Sequence, residues 1–271
     1  MKSVLAAIFL VLSLACLRLA AQESAPPEKL PGPGQPDTGL DPTVQTSKIG
    51  LQNYFNKQPH GAYLYQLLLK GAYAFGFSGK NDCAISVALP AVAHFDPGNL
   101  QGGARATGLG DINLEFVKVF ASGQLAHAPV MDVWFRPSNP NLGDTATTGT
   151  MLGPGYAASY FFTPNIKTLL FVQYQWSVER AAGTAYASNL MIRPFLICYL
   201  PLSLFTQTEF RVNPDFRNNQ TYLTPSLILG RFLTLEKNMT VTATLDVPVD
   251  RYTRVNNEQF KLKAAFTFFF P

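Results

Sequence analysis

From about residue 43 to its end the chain alternates apolar and polar residues with period two, the pattern of extended strands whose successive side chains point to opposite faces. Met239, Val241, Ala243, Leu245, Val247 and Val249 alternate with Asn238, Thr240, Thr242, Thr244, Asp246 and Pro248. Ile166, Leu170, Val172, Tyr174, Trp176 and Val178 face away from Lys167, Gln173, Gln175, Ser177 and Glu179. The last stretch repeats it: Phe260, Leu262, Ala264, Phe266, Phe268 and Phe270 share one side, Lys261, Lys263 and Thr267 the other, and Phe269 breaks the rule. The same parity recurs around Cys83–Leu89, Ile112–Phe116, Leu190–Cys198 and Leu202–Val212. No helical period or heptad competes with it.

Alternation alone suits a soluble sandwich as well as a membrane barrel, and three further features separate them. The strands run to roughly 10–14 residues, whereas globular strands average about five or six and membrane strands need about 9–11. The polar face carries charge in mid-strand at Glu115, Asp132, Glu209 and Lys263, which a wet lumen accommodates. Short links at Ser78–Asp82, Ser122–Leu125, Thr163–Asn165, Leu200–Pro201 and Leu233–Lys237 take turns with longer ones at Asp96–Gly110, Pro137–Met151, Arg180–Ala185, Asn213–Gln220 and Asp250–Glu258. Short periplasmic turns and long external loops are the asymmetry of outer-membrane barrels. The expected fold is all-β: a transmembrane antiparallel up-and-down β-barrel of about 12 strands, within a range of about 10 to 14. Its strands start near Thr46, Ala62, Asp82, Asp111, Ala126, Leu152, Ile166, Tyr186, Leu202, Thr221, Asn238 and Gln259. Tyr63, Tyr65, Phe75, Phe77, Tyr160, Phe162, Phe268 and Phe270 stand near strand ends, where interfacial girdles form.

The start of the chain agrees. Residues 1–21 read as a secretory signal peptide, with Lys2, an apolar run from Val4 to Leu17 and small residues at Ala20 and Ala21. Residues 22–42 carry six prolines and read as an extended periplasmic linker, leaving residues 43–271 as one barrel domain. Without Lys2 and Arg18 the count is 21 − 2 = 19 basic against 17 acidic residues, a net charge of about +2. No basic run with interleaved aromatics appears, so no nucleic-acid partner is expected. Cys83 and Cys198 fall on apolar parity and read as small buried hydrophobes, although an oxidising compartment would let them pair.

Candidate chemistry is confined to the inward parity. Lys70, Glu115, Asp132, Trp134, Arg136, Gln173, Gln175, Arg193, Glu209, Arg211, Asp246, Lys261 and Lys263 are the expected lumen-lining residues. Their mixed signs favour internal ion pairs over a single-sign selectivity ring. His60, His94 and His127 have no nucleophile or metal-ligand spacing around them, and Gly108–Asp111 lacks the third glycine of a dinucleotide fingerprint. No catalytic residue, metal or cofactor is expected.

The run TGLGDINLEFVKVF at Thr107–Phe120, QNYFN at Gln52–Asn56, RPF at Arg193–Phe195 and the closing FFFP resemble a bacterial family named for transporters of the phenol-degradation meta-pathway type. RPSNPNLGD at Arg136–Asp144 matches only part of that family's PTG-like turn. The resemblance implies an outer-membrane barrel and leaves the substrate open. The expected function is an outer-membrane channel or transporter for small molecules, with hydrophobic or aromatic ones a candidate class. The alternatives are a structural or adhesive surface barrel with a side-chain-plugged lumen, and an outer-membrane enzyme. The expected partners are the lipid bilayer, the outer-membrane assembly machinery engaging the C-terminal strand, and small-molecule solutes.

Overall fold

The computed structural model describes residues 37–76, 82–99, 103–136, 142, 149–179, 186–216, 219–234, 236–256 and 258–270. The expected signal peptide, most of the expected linker, loop residues 137–141, 143–148 and 180–185, Phe77 and Pro271 lie outside them.

Twelve antiparallel strands form one closed ring. They are β1 (Ser47–Lys57), β2 (Tyr63–Phe75), β3 (Cys83–Asp96), an interrupted β4, β5 (Leu125–Phe135), β6 (Met151–Thr163), β7 (Ile166–Ser177), β8 (Ser188–Leu200), β9 (Leu204–Asp215), β10 (Gln220–Phe232), β11 (Met239–Asp246) and β12 (Phe260–Phe270). Strand β4 comprises the segments Ala106–Gly108, Ile112–Lys118 and Phe120–Ser122. Each strand pairs with the next, and β1 closes the ring on β12 from Ser47↔Phe270 to Lys57↔Phe260. Closure satisfies every edge, which hydrocarbon requires because it offers no water to unpaired amides.

The interruption in β4 has a local cause. Pro90 of β3 has no N–H to give its neighbours, and the β2–β3 register shifts between Leu67 and Leu68 beside it. Gly110 bridges the gap by donating its N–H to the Pro90 carbonyl at 3.2 Å. A Cβ on Gly110 would lie 2.8 Å from both Gln66 Nε2 and Pro90 Cβ, so only glycine fits that approach.

The alternation of the sequence becomes a two-sided wall. Leu69, Tyr73, Ile85, Phe116, Leu170, Phe210, Leu229, Val241, Leu262 and Phe266 are all exposed on the outside. Aromatic pairs mark both rims: Tyr73 with Phe75, Tyr160 with Phe162 and Phe268 with Phe270 at the short-turn end, Phe55 with Tyr63 and Tyr174 with Trp176 at the long-loop end. Such a belt is unstable in water and stable against acyl chains. The protein is an outer-membrane barrel.

Three details differ from the sequence reading. Strands β9 and β10 stay paired to Asp215↔Gln220, so the loop expected over Asn213–Gln220 is a short reversal. The expected loop Asp250–Glu258 contains helix α1 (Arg251–Asn256), capped by Asp250, which accepts from Thr253 N–H at 2.7 Å. The lumen is also drier on one side than the charge pattern implies. Val117, Ala128, Val130, Ala157, Leu169, Phe171 and Phe195 pack into an apolar cluster on the inner wall of β4–β8. A second cluster of Ala62, Leu64, Ala93, Phe95, Ala106 and Leu142 closes the loop end beside β2 and β3. Cys83 and Cys198 are both buried free thiols on β3 and β8.

Candidate functional site: the lumen and its crossbar

The chain enters the barrel at the short-turn end before β1 begins. Asp37, Thr38, Asp41 and Thr43 are buried, although short polar residues in a proline-rich stretch ordinarily stay in solvent. Two ion pairs hold them. The Asp37 carboxylate accepts from Lys48 Nζ of β1 at 3.0 Å and from the Gly39 N–H at 2.6 Å. Asp41 pairs with Lys167 of β7, whose side chain is only 1% exposed, and also accepts from Thr43 N–H at 2.8 Å and Thr43 Oγ1 at 2.6 Å. Thr43 Oγ1 in turn lies 2.8 Å from Ser159 Oγ of β6. In a ring of twelve, β1 and β7 are six strands apart by either route, so the segment spans the lumen as a crossbar.

This explains the irregular Phe269. Its side chain points inward and is buried, and a Cβ on Gly39 would lie 3.5 Å from its ring. Phe269 is a floor for the crossbar, and Gly39, with φ of +81°, supplies the backbone turn that only glycine makes without strain. The position that breaks the strand's parity is the one that meets the inserted segment.

Two cavities flank the crossbar. The larger, of about 300 Å³, is lined by Gly39–Pro42, Lys70, Glu115, Asn113, Phe171, Arg193 and Phe195 among others. It exists because the inward positions of β1–β3 there carry little volume, at Gly50, Ala72, Ser86 and Ala88. The smaller, of about 180 Å³, is lined by Lys70, Arg193, Glu209, Arg211, Asp246 and Lys263 with Thr38–Leu40. Gly39, Leu40, Lys70, Arg193 and Thr267 line both.

The charged wall is organised in pairs. Arg193 of β8 holds Glu209 of β9 through two bonds, Nε to Oε1 at 2.5 Å and Nη2 to Oε2 at 3.0 Å, and Arg211 adds a contact at 3.4 Å. Arg193 also stacks over Phe195, 4.8 Å from the ring centre, which anchors it between the polar and apolar halves of the lumen. Lys263 of β12 pairs with Asp246 of β11 at 2.8 Å, and Lys261 with Glu258 at 2.7 Å. Asp132 is buried and held by amides, from Asn113 Nδ2 at 2.9 Å and Gln173 Nε2 at 2.5 Å. Gln175 donates to Gln173 Oε1 at 2.8 Å. Trp134 packs over Gly153, where a Cβ would sit 2.6 Å from the indole ring. Arg136 follows the end of β5, is exposed, and lines neither cavity.

Lys70 stands apart from these pairs. It faces the lumen, lines both cavities, and has no carboxylate partner among the described residues. Glu115, across the larger cavity on β4, likewise has no cation partner among them.

The histidines lie elsewhere. His127 stacks between Phe120 and Tyr156, His94 Nδ1 lies 2.8 Å from Thr107 Oγ1, and His60 sits in the β1–β2 connection. Two acidic groups flank β3, Asp82 just before it and Asp96 at its last residue. Asp82 is held below the usual carboxylate range chiefly by the hydrogen bond from Lys118, and Asp96 by the Gly98 N–H at 2.8 Å with Arg105 beside it.

Sequence reasoning missed Asp37, Asp41, Lys48 and Lys167. The two lysines do carry a signal, since each shares the inward parity of its strand: Lys48 with Gly50 and Gln52, Lys167 with Gln173. The two aspartates carry none that local pattern reveals.

No protein-family model and no curated protein matches the chain. Solved structures do. The chain is 14% identical to a NanC porin, covering 81% of its own length and 98% of that chain with a TM-score of 0.59. It is 8% identical to a KdgM porin over 83% and 99%, with a TM-score of 0.56. It is 11% identical to the COG4313 outer membrane channel from Pseudomonas putida F1 over 92% and 100%, with a TM-score of 0.60. The fold is that of outer-membrane porins and channels. At these identities the likeness establishes architecture, and the phenol-degradation transporter family stays a resemblance carried by sequence motifs.

Proposed function

We propose that this barrel is a narrow outer-membrane channel for small molecules, with the crossbar as a partial plug. The observation that supports it is the pair of cavities on either side of the crossbar, both lined by Lys70, Arg193 and Thr267. The porin and channel barrels that share the fold favour the same reading.

The cavities limit the solute. Water occupies about 30 Å³ in the liquid, so 300 Å³ holds roughly ten water volumes, while an apolar cavity of about 150 Å³ takes benzene. Molecules of about ten non-hydrogen atoms fit the larger cavity on that comparison. Phe171 and Phe195 on its wall suit a solute with an apolar or aromatic body.

A plugged structural barrel is the second reading, favoured by the mutual pairing of most lumen charges and by the apolar cluster filling the β4–β8 side. Conductance of the refolded chain in planar bilayers separates the two. Discrete small steps that grow when residues 37–42 are deleted are the expected result. A bilayer that stays silent with both forms, while each migrates as a folded barrel on unheated gels, overturns the channel.

A further inference from the structure

We infer that Lys70 is the anchor of an anion-binding subsite within the lumen, and that it takes the carboxylate of a small organic acid. The inference deepens the channel reading and rests on it.

Lys70 has neither carboxylate nor hydrogen-bond partner among the described residues, whereas the other cations that line its cavities or latch the crossbar do. Lys48 has Asp37, Lys167 has Asp41, Arg193 and Arg211 share Glu209, and Lys263 has Asp246. The charged groups acting on Lys70 are Lys263, Glu115, Lys48 and Arg193. Three of these four are cations, each already matched to its own carboxylate. The fourth, Glu115, stands across the cavity with no ion-pair contact to it, so the Lys70 ammonium is only partly compensated, faces lumen water and is flanked by positive potential. Low-dielectric walls around a wet cleft concentrate such a field and raise the local concentration of the opposite charge.

The surroundings supply the rest of a binding site. Small inward residues at Ala72, Ser86 and Ala88 leave room beside the ammonium, and Phe171 and Phe195 offer an apolar wall. An ammonium is a compact point charge that binds a carboxylate without the geometric demand of a guanidinium. Position adds a further role: Lys70 lines both cavities, so a solute passing the crossbar meets it on either side. Glu115, on the rim of the larger cavity, repels anions, which keeps the interaction weak enough for release.

Benzoate is a suitable probe, and benzylammonium is its control of equal size and opposite charge. The full mature chain, folded in detergent and checked by heat-modifiable migration, is titrated with labelled benzoate by equilibrium dialysis. Saturable binding is expected, weakened at least tenfold by Lys70→Gln and kept by Lys70→Arg. Glu115→Gln should tighten it several-fold, an effect that a purely structural role for Lys70 would not produce. Benzylammonium should not compete. Absence of saturable binding, unchanged binding in folded Lys70→Gln, or competition by benzylammonium equal to benzoate's each overturns the subsite. Conductance of the same preparation keeps the two readings apart. A conducting protein that binds no benzoate sinks the subsite alone, and a silent one whose benzoate binding depends on Lys70 sinks the passage alone.

Discussion

Replacing Asp41 by Asn removes one negative charge from the crossbar and changes its shape very little. The partner left behind is Lys167, 1% exposed, with Thr43 Oγ1 at 3.2 Å and the Phe161 ring centre at 4.7 Å as its remaining neighbours. Breaking a buried pair by removing one partner costs about 3–5 kcal/mol, because an uncompensated charge stays in a poor solvent. The crossbar's other ties are the Asp37–Lys48 pair, whose side chains are 2% and 21% exposed, and the Thr43–Ser159 hydrogen bond, worth about 1 kcal/mol. Undocking lets water reach Lys167, so the segment should leave before the barrel loses stability. Asp41→Asn should therefore raise single-channel conductance and change the urea midpoint of the barrel only slightly. Asp41→Asn combined with Lys167→Met removes both charges and should return conductance toward the parent value. Parental conductance in Asp41→Asn, or equal opening in the single and double variants, would refute the latch.

Orientation is tested by labelling: cysteine at Asn99, in the long β3–β4 connection, should react with an impermeant reagent on intact cells, and cysteine at Gln124, in the tight β4–β5 turn, should not. The two faces of the wall should differ in kind. Leu170→Arg on the outside of β7, where Leu170 is 46% exposed, should cost about 2–4 kcal/mol near the bilayer midplane, measured by urea unfolding in liposomes. Equal tolerance of Leu170→Arg and Leu170→Ala would contradict that assignment. We also propose that the assembly machinery reads the last strand: replacing Phe266, Phe268 and Phe270 by Ser forfeits on the order of 10 kcal/mol of apolar burial as an upper bound, and the folded gel band of outer-membrane fractions should vanish.

Much of the wall was legible because a barrel strand has one lipid face, and lipid tolerates no polar side chain there. The starts expected at Thr46, Ile166, Asn238 and Gln259 fall within one residue of the observed Ser47, Ile166, Met239 and Phe260. The first segment has only Ile49, Leu51 and Phe55 to mark its apolar face, yet it pairs along its whole length because β2 and β12 template it from both sides. What escaped was everything set by inward contacts across the ring. Parity says that Lys167 points inward, but not that Asp41 meets it, since their meeting depends on the ring's circumference and closure. Proline content argued for an extended stretch over 22–42, and Asp37–Pro42 is irregular, but composition cannot say whether such a stretch lies outside a barrel or within it. Helix α1 was missed for a smaller reason: six residues inside a loop leave no periodic trace, and only Asp250 at its cap announces it.

The crossbar also constrains the order in which the molecule can be made. Asp41 waits for a lysine 126 residues further along the chain, and Thr43 for a serine 116 residues along. Neither anchor exists until β6 and β7 have taken their places, and the ring that surrounds them closes only when β12, the last strand, meets β1. Contacts so distant in sequence form late, since closing long loops must precede the gain from the contact. The segment ahead of β1 is thus fixed only once the chain has reached β7, and the strand that closes the ring around it, β12, is more distant still.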